Sequence, residues 1–452
     1  MPESAAEYER ERASIVKWGL ITSLGNRGVA ALIPLLMVPL ALSYLGAEKY
    51  GAWTAAMSLT ALAGFADLGI GTGLMTRLGG LGSSAEDVLE KRRIVSCGYA
   101  MMAAIVLVLI AALVLVSQIF SWSVLLGVPN GRRDWVVELI VVTTLSSVLL
   151  NMLCSLVVRV QYGVGQQAIS NIWQTLGAAL SLLAAFGMTA LGGGPNWFVA
   201  AAAFTPPVVA ILNTVYFFGF NSKGRVLAPS CDLFQLALAK GLLVQGMRFF
   251  AVSLFMAVAL QLDPWIVAVT GNLEEVPEYV IPARIFGTIG AVAVLVGTPL
   301  WPLHSRAVAI GDIAWIRSIT LKLSLGLFLA VGVMGGLAIG FGPLILEYWL
   351  GGQISMNYEL WFALALWWSM QTALGPFFMV QNGANVLFPQ MVGYALLALI
   401  ILPLKLWAGG ALGLPAIVWA GVVGYAFLIV PACYYGYKTS IAVAVRNSKV
   451  RA

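Results

Sequence analysis

Charge is scarce in this chain. Of its 452 residues only 10% are charged, against 60% hydrophobic, where soluble domains carry roughly 25% charged residues. So few charges cannot cover a soluble surface of this size, which argues against a soluble protein with an unusually large core. Histidine is scarcer still, with His304 the single one. The four cysteines, Cys97, Cys154, Cys231 and Cys433, share no ligand-like spacing. Neither a disulfide nor a zinc site nor a metal centre of the usual kind is expected. There is no Walker-type phosphate loop, which excludes nucleotide hydrolysis by that motif, and no cofactor is expected. A cleaved leader is not expected either. The first 16 residues mix acid and base, and the apolar segment after them is too long for a signal h-region. Glu7–Arg12 reads equally as a short surface helix or a solvated tail.

What is present is a series of apolar runs long enough to cross a hydrocarbon core. They fall at 17–44, 51–77, 94–118, 135–159, 168–191, 197–220, 240–270, 279–303, 315–342, 357–381, 385–407 and 411–437. The expected class is an all-α polytopic membrane protein of about 12 transmembrane helices. Pro34 and Pro39 sit in the first run and Pro264 in the seventh. Each removes a backbone donor, so a hinge or cavity wall is expected there.

Lys and Arg placement orients the chain. With both termini inside, the outer segments hold only Lys49, Arg132, Arg133 and Lys405, against eighteen on the inner segments. Both termini are therefore expected on the cytoplasmic side of a bacterial cytoplasmic (inner) membrane. The net charge of +6 is mostly this signal and needs no nucleic acid to explain it.

An internal repeat runs through the spans. RVQYG (Arg159–Gly163) matches MVQNG (Met379–Gly383), and GLMTRLGG (Gly73–Gly80) matches PLHSRAVAIG (Pro302–Gly311). Arg93 and Arg317 open equivalent spans. VPLALSYLG (Val38–Gly46) matches DPWIVAVTG (Asp263–Gly271), with Pro39 and Pro264 each seven residues before the glycine. The outer loops at 118–134 and 343–356 take equivalent places. These matches predict two parallel-repeat six-helix lobes, since six spans return the chain to the same side. The first lobe is 1–220, the cytoplasmic linker 221–239 and the second lobe 240–452, with Leu233–Ala239 a candidate to lie flat on the membrane. Two such lobes commonly flank a substrate cleft exposed to each side in turn.

Ionisable residues inside spans are costly and mark candidate sites. There are five: Arg27, Asp67, Arg248, Asp263 and Arg284. Arg27 and Asp67 lie at one depth, roughly 15 Å from the inner ends of their spans at the helical rise, so a structural pair competes with a functional role. Asp263 and Arg284 also share a depth and present the same choice. Arg248 has no acid in reach of its span and either snorkels to the interface or faces a cleft. Three arginines against two acids favour an anionic substrate, because the guanidinium fork suits phosphate.

The run PLALSYLGAEKYGAW (Pro39–Trp53), followed by SLTALAGFADLGIGTGLMTRL (Ser58–Leu78), resembles the polysaccharide transporter branch of the MOP superfamily, the O-antigen or Wzx-type flippases. The resemblance implies a MATE-like fold. It also implies movement of an undecaprenyl-pyrophosphate-linked oligosaccharide to the outer leaflet by alternating access, for O-antigen or exopolysaccharide synthesis. The implied partners are that lipid carrier, membrane lipids and polysaccharide polymerase machinery. In the related lipid II flippases arginines on helices one, two and eight line the cavity. Arg27 and Arg284 match helices one and eight, whereas helix two carries Asp67. Outward movement of a pyrophosphate gains roughly 2.3 kcal/mol per charge per 100 mV when the inside is negative. Coupling to the membrane potential, or to H+ or Na+ through Asp67 or Asp263, stays open. The rival readings are a MATE-like ion-coupled antiporter of drugs or metabolites, a lipid-sugar ligase or polymerase, and a non-transporting scaffold. An antiporter of cations would favour acids in the cleft. The enzymes commonly need a polar external loop, where 118–134 offers Arg132, Arg133 and Asp134.

Overall fold

A computed structural model describes residues 5–63, 69–82, 84–128, 133–297 and 301–451. Among them every regular element is helical. Among the described residues nine helical stretches are long and apolar enough to cross a membrane. The chain divides into unit 1, Met1–Leu254, and unit 2, Phe255–Ala452.

Unit 1 begins with α1 (Ala5–Ala63), which is two helical arms broken at Gly46 (φ 77°, ψ 168°). Only glycine adopts that backbone conformation without strain. The motif residues around the break hold it. Tyr44 donates its hydroxyl to the Gly193 carbonyl, and Tyr44 and Trp53 both pack on Phe198, with Tyr50 edge-on to Trp53. Gly46→Ala is therefore expected to cost about 1–3 kcal/mol, read as a lower aggregation midpoint in detergent. An unchanged midpoint would mean the break tolerates a side chain.

The unit continues with α2 (Ile70–Gly80), α3 (Ala85–Ile119), a short α4 (Trp122–Leu125), α5 (Trp135–Cys154), α6 (Leu156–Gly163), α7 (Gln167–Ala190), α8 (Pro195–Gly219) and a short α9 (Ser222–Arg225). Its core sits where α2, α3, α5 and α6 meet. Ile70, Met102 and Leu149 pack in one cluster, and Leu74, Leu78, Val157 and Phe217 in another. The loop between α3 and α5 is pinned by buried Glu138. One of its carboxylate oxygens accepts from the Ser121 hydroxyl and from the Ser123 amide and hydroxyl, with Arg133 3.7 Å away. The linker docks on α3 through Arg92 Nε to the Ala228 carbonyl (2.9 Å) and the Ser230 amide to Ser96 Oγ (3.0 Å). Ala239, at its end, is buried in the cluster around Cys97.

The unit boundary falls inside α10 (Leu236–Leu260). Unit 2 then has α11 (Asp263–Thr270), α12 (Val276–Gly297), α13 (Trp301–Ile310), α14 (Ile313–Gly340), α15 (Gly342–Leu350), α16 (Tyr358–Gly383), α17 (Phe388–Leu412), α18 (Leu414–Gly424) and α19 (Val430–Arg451), the last two joined by a π turn at Tyr425–Ile429. The seventh span is broken immediately before Pro264, which starts α11 where its missing N–H costs nothing. Pro34 and Pro39 stay inside α1.

The repeat is built into hydrogen bonds. Gln161 and Asn213 exchange amide hydrogen bonds across 52 residues in unit 1. Gln381 reaches the Cys433 carbonyl across 52 residues in unit 2. In both units the glutamine ends a span and its carbonyl accepts from the amide five residues on. A left-handed residue lies within that turn, Gly165 (φ 78°) in one unit and Asn385 (φ 57°) in the other. The equivalent loops after α3 and α14 each carry a short helix, α4 or α15. Apolar side chains line exposed faces, such as Leu321, Leu325, Leu329 and Val333 along α14, as a lipid-facing helix requires. The described residues thus form an all-α multi-pass membrane protein whose two units repeat one local plan.

Candidate functional site

The ionisable span residues fare differently. Arg27 lies on the first arm of α1 in unit 1 and is exposed. Arg284 lies on α12 in unit 2 and is half-buried. Asp67 and the side chain of Arg248 fall outside the described residues.

Asp263 is the centre of a buried cluster, and its cation is not Arg284. Lys405 Nζ stands 2.5 Å from Asp263 Oδ1, and the Tyr279 hydroxyl donates to Oδ2 at 2.6 Å. Lys405 Nζ also sits 5.6 Å from the centroid of the Trp367 ring, within cation–π range. Both charges are nearly removed from solvent, with side-chain exposures of 1% for Lys405 and 8% for Asp263. Lys405 was expected on an outer segment. Instead α17 continues to Leu412, which leaves Lys405 two turns inside the helix. Gly421 on α18 makes the space, since a Cβ there would stand 3.3 Å from Lys405 Cε and 3.4 Å from the Trp367 ring. Five helices of unit 2, α11, α12, α16, α17 and α18, thus converge on one neutralised charge.

The repeat supplies a comparison inside the molecule. The register that matches Val38–Gly46 with Asp263–Gly271 sets Val38 against Asp263. The register that matches Gln161 with Gln381 sets Ala185 against Lys405. Val38 and Ala185 are fully buried apolar residues of unit 1. At each matched position unit 1 carries a buried apolar residue where unit 2 carries a buried charge, so the shared fold does not demand charge at either.

In unit 1 a polar ladder joins α1 to α7. Asn171 donates to Thr22 (3.2 Å) and Thr175 donates to Asn26 (3.1 Å). Tyr162 donates to Asn171 (2.7 Å), and Gln174 donates to Tyr162 (3.3 Å). Arg27 follows Asn26 directly. Beside this ladder lies a cavity of about 450 Å³ walled by α5, α6, α7 and α8, with Asn151, Ser155, Arg159, Tyr162, Gln174 and Asn213 among its lining. Sequence reading missed this cavity, Tyr279 and the inward place of Lys405.

No family model matches the sequence, and no curated protein matches it. Solved structures do match in shape. An inward-facing multidrug resistance MATE family transporter of the MOP superfamily superposes with a TM-score of 0.68 at 14% identity, over 91% of this chain and 94% of that one. The chain has a MATE-like fold. Lipid II flippase MurJ in an inward closed conformation shares this MATE-like fold at a TM-score of 0.67 and 13% identity, over 96% of this chain and 90% of that one. A MOP superfamily transporter from Pyrococcus furiosus, described as having a binding pocket of reverse polarity that suggests a different function, matches at 0.57 and 14% identity, over 95% and 96%. At these identities the MATE-like fold is what is shared, and substrate must be argued from side chains.

Proposed function

We propose that this protein is a flippase that carries an anionic, pyrophosphate-linked oligosaccharide lipid from the inner to the outer leaflet of the bacterial cytoplasmic membrane by alternating access. The observation that carries the reading is the Asp263–Lys405 pair. It takes Asp263 out of the charge balance of the five in-span candidates, among whose remainder arginines outnumber acids three to one. An excess of in-span arginine favours an anionic, phosphate-bearing cargo over the cations that a drug pump would carry. The helix-one-to-two motif, the two-lobed fold shared with a lipid II flippase, and the description of reverse pocket polarity in a protein of the same fold support the same direction. The pair also argues against Asp263 as an ion-coupling carboxylate, because Lys405 already supplies its counter-charge.

Expression in a bacterium lacking its own surface-glycan flippase tests the reading. Restored surface polysaccharide, with no gain of resistance to lipophilic cationic dyes, is expected. Dye resistance without surface glycan would favour the antiporter.

A further inference from the structure

We propose that the polar cavity inside unit 1 binds a hydroxyl-rich ring, one or two sugar residues in size, with the indole of Trp173 as its stacking face. The cavity, about 450 Å³, lies within the 300–1,000 Å³ range of small-molecule sites. A second cavity of unit 1, about 480 Å³, gives the contrast. Ala100, Ala103, Leu153, Ile211, Val215 and Phe234 make its wall mostly apolar.

The polar groups of the first cavity fall into two sets. Tyr162, Gln174 and Asn213 are held by partners: Tyr162 by Asn171 and Gln174, and Asn213 by Gln161. These bonds fix the wall before any ligand arrives. Asn151, Ser155, Arg159 and Trp173 line the same space, and no side-chain hydrogen bond engages them among the described residues. Asn151, Ser155 and Arg159 lie at i, i+4 and i+8 along the broken α5–α6 helix, so they share one face. Trp173 is held against Tyr216 with ring centroids 5.9 Å apart.

This set selects a ligand by its chemistry. An amide and a hydroxyl both donate and accept, as sugar hydroxyls do. A rigid indole offers an apolar face for the C–H side of a pyranose. No carboxylate lines the cavity, which disfavours an organic cation. Arg159 is exposed and provides one positive charge for a phosphate attached to the ring. The inference extends the flippase reading to the glycan end of the cargo, yet it rests only on groups within unit 1.

The test is saturation-transfer NMR on the full-length protein in nanodiscs with methyl glycosides and disaccharides of hexose, N-acetylhexosamine and 6-deoxyhexose type. At least one saccharide is expected to bind saturably. Asn151→Leu and Trp173→Ala should each weaken it about tenfold, the size of one lost hydrogen bond or contact near 1.4 kcal/mol. Trp173→Phe, which keeps a ring, should retain most binding and guards against misfolding of the alanine variant. Leu325→Ala, on the exposed face of α14 in unit 2, should leave binding unchanged. Absence of saturable binding by the wild type, or undiminished binding by both Asn151→Leu and Trp173→Ala, would overturn the proposal. Sugar binding with lipid transport indifferent to Arg27 and Arg284 would instead sink the phosphate reading and leave this one standing.

Discussion

Lys405→Ala is expected to strip most folded protein from the membrane fraction, and adding Asp263→Val to it is expected to bring the protein back. The single change leaves a carboxylate buried at the start of α11 with only the Tyr279 hydroxyl to stabilise it. Removing one partner of a buried pair typically costs about 3–5 kcal/mol, against total stabilities of about 5–15 kcal/mol. The double change leaves no charge. Val and Ala are the residues that unit 1 carries at the matching positions, Val38 and Ala185, where both are fully buried. Replacing a buried pair with apolar side chains is often neutral or stabilising, so the double variant should melt near the wild type. The measurement is fluorescence-detected size exclusion after a heating series in detergent. A double variant no better than the single would show that the pair does more than neutralise itself. Tyr279→Phe should fall between, since it removes one hydrogen bond to a charged group, worth about 1.5–3 kcal/mol.

Removing Arg27 should act on transport and leave folding alone. Arg27 is exposed on α1, so Arg27→Ala empties no packed core. If each guanidinium donates to pyrophosphate, each loss should slow flipping roughly 10- to 100-fold, the equivalent of about 1.5–3 kcal/mol per charge-assisted bond. Arg27→Lys and Arg284→Lys should recover part of the rate, because lysine keeps the charge and loses the fork. Initial flipping rates in proteoliposomes, normalised to protein incorporated, check this. Alanine variants at wild-type rates would remove the arginines from the cargo path.

The lobes were legible because a parallel repeat leaves matched punctuation. Gln161 and Gln381 stand at equal places before equal turns, and the structure gives each an equivalent span-crossing hydrogen bond. A break between the runs 17–44 and 51–77 was legible from hydropathy, and the structure puts it at Gly46 and not at Pro34 or Pro39, where a hinge was expected. The partner of Asp263 was not legible. Depth along adjacent helices pointed to Arg284, while Lys405 stood two residues from the expected end of its span and was assigned to a loop. A lysine whose helix continues past it cannot be told from a snorkelling one by spacing alone. Tyr279 gave no signal because a neutral hydroxyl is cheap in sequence terms. The cavity of unit 1 was hidden for another reason. Asn151, Gln174 and Asn213 sit on three helices, and only packing brings them to one space.

The most direct test of the central claim is a comparison of two lipids in one set of proteoliposomes. One is a fluorescent undecaprenyl-pyrophosphate oligosaccharide, and the other bears the same glycan on a neutral linkage. Under an inside-negative potential imposed across the membrane, with the cytoplasmic face of the protein on the negative side, the account predicts outward movement of the pyrophosphate lipid alone. That rate should rise with potential and depend on Arg27 and Arg284. Equal movement of the neutral lipid, indifferent to both arginines, would contradict it.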